Sequence, residues 1–260
     1  MSVEKPVSCV TSECTHLREL ASIAAAPHRG QGNGFLVLGV ILICAICVTG
    51  CRGGITSTPP RATAEISPSQ DEIDYFIEIA LGTEDGSSEQ LPKKWISDPR
   101  IKVFGSPTDA DLDTLKEVIE ELNSLQTQIT LKVVRRNPTI RIHFVPEARF
   151  ARIEPNYRPT NYGFFWTWWK GSGEIQEARI LIASDQISQR ERSHLVREEL
   201  TQCLGLMKDS NWYPESVFYG GWTDVTEYAP IDRSLVRMLY SDAIRPNMTE
   251  AQVRETLKQQ

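Results

Sequence analysis

An uninterrupted apolar segment limits how this chain can fold. Residues 35–51, FLVLGVILICAICVTGC, contain no charged side chain. A membrane-spanning helix usually needs about 20 apolar residues, so a run of this length is more typical of the hydrophobic core of a signal peptide. A signal-anchor helix that stays in the membrane is the alternative. Both interpretations place the residues after 51 outside the cytoplasmic membrane.

The end of this run indicates lipid attachment. Val48-Thr49-Gly50-Cys51 resembles a bacterial lipobox, in which an aliphatic residue and two small ones precede the lipidated cysteine. We therefore predict a lipoprotein-type signal segment with a long N-terminal extension over residues 1–51, and Cys51 as the lipidation site. Arg52 is not the aspartate of inner-membrane lipoproteins, so the resemblance implies a periplasm-facing protein anchored to the outer membrane of the bacterial cell envelope. An inner-membrane signal anchor through residues 35–51 stays open.

Cysteine usage argues against a disulfide-stabilised domain, and the charge argues against a nucleic-acid-binding protein. The chain has six cysteines, of which Cys203 alone follows residue 51, so the exported part cannot form an internal disulfide. Cys203 is predicted to be a buried, inert thiol. The formal net charge is −6, and no run of basic residues follows the apolar segment. Because binding to phosphates needs a basic surface, we expect no nucleic-acid partner.

The pattern after residue 51 predicts a tether followed by one α+β domain. Residues 52–71 are rich in Gly, Ser, Thr and Pro and are predicted to be a flexible tether, and residues 72–260 to be the domain. Hydrophobic periodicity predicts strands at 75–81, 100–104, 130–134, 139–145, 163–169 and 174–183, and helices at 110–124, 188–206, 230–240 and 249–258.

The helix predicted over 188–206 carries a row of polar side chains. His194, Glu198 and Gln202 follow one another at intervals of four residues, so they share one helix face. With Asp209 beyond the helix end, they could supply nitrogen and oxygen ligands to a divalent cation. The same spacing is also typical of a solvent-facing helix surface.

The segment from Arg197 to Leu206, REELTQCLGL, resembles the active-site helix of the zincins. In that motif, His-Glu-x-x-His, two histidines bind zinc and the glutamate activates water. Here Glu198 and Gln202 stand at the histidine positions and Glu199 at the general base.

Three further blocks extend the resemblance to a matrixin-type metzincin domain, and more closely to an exported bacterial domain family of unknown function with a degenerate motif. Residues 174–183 resemble the edge strand that aligns peptide substrates. Ser216-Val217-Phe218 resembles the Met-turn with phenylalanine in place of methionine, and residues 229–240 resemble the C-terminal helix. The resemblance implies a zincin-like fold, with a mixed twisted sheet, two long helices and a small helical C-terminal subdomain.

The departures from the family pattern all concern metal binding. The position of the third ligand is Lys208, whose ammonium group has no lone pair, and only His143 and His194 follow residue 51. The favoured function is therefore an envelope-anchored domain that binds peptide or protein without zinc peptidase activity, and no cofactor is expected. The alternative is a metal-dependent, peptidase-like hydrolase with a site around Glu198, Glu199, Gln202 and Asp209, supported by His194, in which Glu199 is catalytic.

An aromatic segment, Tyr162 to Trp169, offers a second candidate site. In a strand, Phe164, Trp166 and Trp168 lie on one face, and Phe165 and Trp169 lie on the other. One interpretation is that Trp166 and Trp168, together with Trp212, form a surface that binds a peptide, a glycan or a partner protein. The other interpretation is a strand that is buried on both faces.

Overall fold

In a computed structural model, the structure describes residues 68–81, 91–157, 159 and 161–260. The strands are β1 (Arg100–Gly105), β2 (Lys132–Val133), β3 (Ile140–Val145), β4 (Gly163–Trp169) and β5 (Ile175–Ala183). The helices are α1 (Gln70–Leu81), α2 (Asp109–Leu125), α3 (Phe150–Ile153), α4 (Gln189–Gln202), α5 (Pro230–Leu239) and α6 (Glu250–Lys258). The domain is therefore α+β, as predicted.

The strands form one mixed sheet in the order β2-β1-β3-β5-β4. The pairs β1–β2, β1–β3 and β3–β5 are parallel, whereas β4 runs antiparallel to β5. β4 therefore forms one edge of the sheet and β5 lies inside it. The prediction that residues 174–183 are the edge strand is wrong, because this segment pairs with β3 on one side and β4 on the other.

The main core lies between one face of the sheet and the helices. Alternate residues of β1, β3 and β5 enter it, including Ile101, Ile142 and Ile180, all of which are almost fully buried. A second, smaller cluster covers part of the opposite face of the sheet and contains Phe150 of α3. The helix α4 packs against α2 and against β4 and β5, so it is enclosed on several sides.

Local sequence signals define the ends of the long helices. Thr108 with Asp111 and Ser188 with Glu191 form capping boxes at the starts of α2 and α4. The turn after α4 contains Gly205 with φ of +122°, a conformation that favours glycine. A Cβ at Gly205 would also overlap the carbonyl oxygen of Lys93, so the chain needs glycine here for two reasons.

The predicted strand over 75–81 is wrong, since these residues belong to α1. Its N-terminus is fixed by Ser69, whose backbone N–H donates to Glu72 Oε2 at 2.8 Å and whose hydroxyl accepts from the Glu72 N–H at 3.3 Å. Apolar residues then follow at helical spacing, and Ile73, Phe76 and Ile77 are buried. The β-branched and aromatic residues that suggested a strand pack here against α5 and α6. The other predicted elements are present, although β2 is only two residues long and the helix predicted over 188–206 ends at Gln202.

The predictions for the N-terminal segments concern residues that the structure does not describe. The lipobox cysteine Cys51, the apolar run 35–51 and most of the tether 52–71 lie outside the described residues. Among the described residues, none of the helices combines the length and the hydropathy needed to cross a bilayer.

Candidate functional site: the polar row of α4 and the edge strand β4

The polar row of α4 is buried. His194, Glu198 and Gln202 expose 3%, 1% and 1% of their surface, and Glu199 exposes 2%. The interpretation of this row as a solvated helix face is therefore wrong. Its spacing fits either environment, and the packing of α2, β4 and β5 around α4 removes these side chains from water. Buried carboxylates of this kind need specific partners.

His194 and Glu198 form a buried pair one helical turn apart. Nε2 of His194 lies 3.2 Å from Oε2 of Glu198. Nδ1 of His194 lies 2.7 Å from the carbonyl oxygen of Val225, and since a carbonyl only accepts, Nδ1 carries the proton. Burial by itself lowers the pKa of His194, but the hydrogen bond and charge of Glu198 and the Val225 carbonyl outweigh it, and the net pKa is raised. The pair attaches the segment around Val225 to α4.

The other metal-ligand positions of the zincin pattern make contacts of their own. Nε2 of Gln202 donates to Oδ1 of Asp209 at 2.6 Å. Nζ of Lys208 lies 3.4 Å from Oε1 of Glu78 on α1, and the Lys208 N–H donates to the Ile79 carbonyl at 3.1 Å. Lys208 is thus attached to α1 by both its backbone and its side chain.

A metal ion does not fit the donors that the structure brings together. His194 with Glu198 and Gln202 with Asp209 form two pairs, and the ammonium group of Lys208 stands at the third position. Within the described residues, no three His, Cys, Asp or Glu side chains are grouped so that they could hold a metal ion. A catalytic zinc needs three protein ligands and an open position.

Glu199 lies beneath the start of the edge strand. Its Oε1 and the Cδ2 atom of Leu195 occupy the space that a side chain at Gly163 would need. Glycine at this position therefore allows the carboxylate to lie directly against the backbone of β4. Glu199 therefore lies against β4, and not against the segment 174–183 that was predicted to be the edge strand.

The family model that matches residues 69–259 is described as a protein of unknown function, DUF2927. The chain belongs to this family. No curated protein matches the sequence. Two solved structures of myroilysin are similar, both with a TM-score of 0.38. One is 13% identical and covers 58% of this chain and 83% of that chain, and the other is 14% identical and covers 57% and 86%.

The segment between α4 and α5 is held by a buried carboxylate. Asp232 Oδ1 accepts from the hydroxyl of Ser216 at 2.6 Å, and its Oδ2 accepts from the N–H groups of Val217 and Ala229 at 3.2 and 2.8 Å. The Tyr75 hydroxyl donates to Ser216 Oγ at 3.0 Å. Burial raises the pKa of Asp232 to about 6. This network was not identified from the sequence.

The aromatic strand is buried on both faces. Phe165 and Trp169 enter the main core, and Phe164 and Trp166 enter the second cluster. Trp166 is only 7% exposed and cannot contribute to a binding surface. Trp168 is half-buried and lies against the guanidinium of Arg179 at 5.3 Å, so the proposed surface of Trp166, Trp168 and Trp212 does not exist as one patch.

Two tryptophans between α4 and α5 are exposed. Trp212 is 53% exposed and stacks on Tyr75 with ring centroids 6.1 Å apart. Trp222 is 43% exposed and contacts Tyr162, the residue that precedes β4, with centroids 6.4 Å apart. Trp222 therefore stands near the end of β4 at which Glu199 lies.

Proposed function

We propose that residues 72–260 form a zincin-like domain that binds an extended peptide or protein segment and lacks zinc peptidase activity. The observation that carries the proposal is that the residues at the zinc-ligand positions are engaged in contacts within the protein. Glu198 pairs with His194, Gln202 donates to Asp209, and Lys208 pairs with Glu78. Each position that would hold zinc in the related enzymes contributes here to a contact within the protein.

The outer edge of β4 is the surface at which such a segment would bind. The Ala183 N–H donates to the Tyr162 carbonyl at 2.8 Å, and Gly163 pairs with Ile182 in register. In an antiparallel pair, successive residues alternate between facing the partner strand and facing away. The N–H and C=O groups of alternate residues therefore point away from β5, namely those of Gly163, Phe165 and Thr167. Phe165 and Thr167 expose none of their surface, so an added strand can pair with these groups only once the chain that covers this edge moves aside.

Glu199 would have a hydrogen-bonding role at this edge. Its carboxylate lies against Gly163, whose backbone groups belong to the outward-facing set. In the related enzymes this position activates a metal-bound water, which needs the metal ligands that are replaced here. We assign Glu199 to positioning the backbone of β4 and the bound segment.

The cellular location forms part of the same proposal. A lipid on Cys51 would attach the chain to the outer membrane, and the tether 52–71 would separate the domain from the bilayer. Labelled palmitate should be incorporated into the wild-type protein in cells and not into Cys51→Ser. Labelling of Cys51→Ser would contradict lipidation at this residue, and retention of the unlabelled protein in the inner membrane would support the signal-anchor alternative.

An N-methyl scan of a bound peptide tests the binding mode. The probe is an octapeptide enriched from a random library on the purified protein, with affinity measured by fluorescence anisotropy. N-methylation at alternate peptide residues, which face β4, should abolish binding, and N-methylation at the intervening residues should leave it unchanged. Equal effects at all positions would contradict strand addition.

Metal analysis of the same protein tests the alternative hydrolase. We expect no stoichiometric transition metal, no cleavage of the peptide, and unchanged peptide affinity after treatment with a chelator. Stoichiometric zinc or another transition metal, with hydrolysis that is lost in Glu199→Gln, would contradict the proposed function. It would instead support the site around Glu198, Glu199, Gln202 and Asp209.

A further inference from the structure

Three basic residues form a row across the sheet. Lys102 of β1 pairs in register with Arg141 of β3, and Arg141 pairs with Arg179 of β5. Adjacent strands lie about 4.8 Å apart, so the three side chains emerge side by side over about 10 Å. We call Lys102, Arg141 and Arg179 the basic row.

The basic row lies on the face of the sheet that the helices leave partly open. Its sequence neighbours Ile101, Ile142 and Ile180 point into the main core. Because successive side chains of a strand alternate between faces, the basic row points to the opposite side. Each of its residues is half-buried, so solvent reaches this face next to the second cluster.

Only part of this positive charge is compensated. Nη1 of Arg141 lies 2.9 Å from Oε2 of Glu177, and Nη1 of Arg179 lies 2.6 Å from Oε2 of Glu154. Lys102 has no acidic partner within the described residues, and its ammonium group lies over the ring of Phe104 at 5.0 Å.

The pKa of a histidine on the same face is lowered by burial and by the charges of the two arginines. His143 stacks on Phe104 with ring centroids 4.8 Å apart. Burial, and then the charges of Arg179 and Arg141, lower the pKa of His143 to about 4. Its imidazole is therefore neutral at physiological pH and adds no charge to the basic row.

Glu177 and Glu154 offset the charges of Arg141 and Arg179, so the positive charge left on the basic row is that of Lys102. The whole chain shows the opposite balance, with a formal net charge of −6. The positive character is therefore local to this face, and an acidic ligand would complement it. The three residues are far apart in the sequence, which explains why no basic run is visible there.

We propose that the basic row binds an acidic polypeptide segment. Guanidinium groups match carboxylates in a planar, two-bond geometry, and two of the three residues are arginines. The half-buried side chains sit beside the second cluster and Trp168, which packs on Arg179. A narrow chain can follow such a row, whereas a flat membrane surface calls for protruding cations. This site lies on a sheet face and is separate from the edge of β4.

The test uses a fluorescein-labelled dodecapeptide of alternating Glu and Ser, with its Gln-Ser analogue as the uncharged control. We expect the acidic peptide to bind the purified protein at low salt and to dissociate as salt is added, and we expect the Gln-Ser peptide to displace it poorly. Lys102→Gln should weaken binding about threefold to tenfold. Lys116→Gln makes the same change of charge on the opposite side of the sheet, on a side chain that is 74% exposed, and should leave binding unchanged.

Three results would overturn the proposal. The first is the absence of binding by the Glu-Ser peptide, and the second is an equal loss in Lys102→Gln and Lys116→Gln, which would indicate attraction by total charge alone. The third is preferential binding of a single-stranded oligonucleotide or of vesicles with anionic lipid, measured at the same salt and abolished by Lys102→Gln.

Discussion

Oε1 of Glu199 occupies the space that a side chain at Gly163 would need. This relationship joins the middle of α4 to the first residue of the edge strand, and it depends on the absence of a Cβ. The Glu199 carboxylate is therefore in direct contact with the backbone that we propose as the peptide-binding edge.

Gly163→Ala should destabilise the protein by about 1–3 kcal/mol, because the new methyl group overlaps Glu199 and Leu195. The cost should fall in a Glu199→Ala background, since the two residues compete for the same space. Urea unfolding measures both effects. Gly171→Ala is the matched control, because a Cβ at Gly171 would meet no atom within 4 Å. Equal losses of unfolding free energy in Gly163→Ala and Gly171→Ala would contradict the contact between Glu199 and Gly163.

The raised pKa of Asp232 predicts a pH dependence of stability. The unfolded side chain titrates near 3.8 and the folded one near 6, so the folded state binds the proton more tightly. Below pH 4 the proton on Asp232 stabilises the folded state by about 3 kcal/mol. This contribution is lost as the pH rises through 6. The difference in unfolding free energy between wild type and Asp232→Asn should therefore change between pH 4 and pH 6.

A surface aspartate provides the control for this titration. Asp224 is exposed and pairs with Arg190 at 2.6 Å, with more than half of each side chain in water. Asp224→Asn should follow the wild-type curve closely over the same range. If the curves of unfolding free energy against pH for wild type and Asp232→Asn stay parallel from pH 4 to pH 6, the pKa of Asp232 is not raised in the folded state.

Two of the three tryptophans that were predicted to form a surface should differ sharply in their effect on stability. Trp166 is buried and stacks on Phe164 with ring centroids 6.1 Å apart, so Trp166→Ala should cost about 3–5 kcal/mol. Trp212 is 53% exposed, so Trp212→Ala should cost about 1 kcal/mol or less. Thermal and urea unfolding compare them. Similar costs for both variants would contradict the burial of the aromatic strand.

Local signals predicted most of the elements. The hydrophobic periodicity of α2 and α4 and the alternation in IRIHFV each act within a few residues, and these elements all appear in the structure. The strand predicted at 75–81 was wrong because its apolar residues suit both periods, and the deciding cap, Ser69 with Glu72, precedes the segment.

Features that depend on distant parts of the chain could not be read from the sequence. β5 is internal because β4 pairs on its outer side, and the spacing within a strand does not reveal this. The polar row of α4 has the same spacing whether it faces water or protein. Lys208 was identified as a replaced ligand, but its partner Glu78 lies on a helix 130 residues away in the chain.

The most direct test of the account is amide hydrogen exchange at β4 with and without the enriched octapeptide. Binding should increase the protection of the Phe165 and Thr167 amides, whose N–H groups face the outer edge. The protection of the Phe164 and Trp166 amides, which face β5, should not change. The peptide should be recovered intact. Unchanged exchange at Phe165 and Thr167 under saturating peptide, or recovery of cleaved peptide, would contradict a binding domain that uses this strand without hydrolysis.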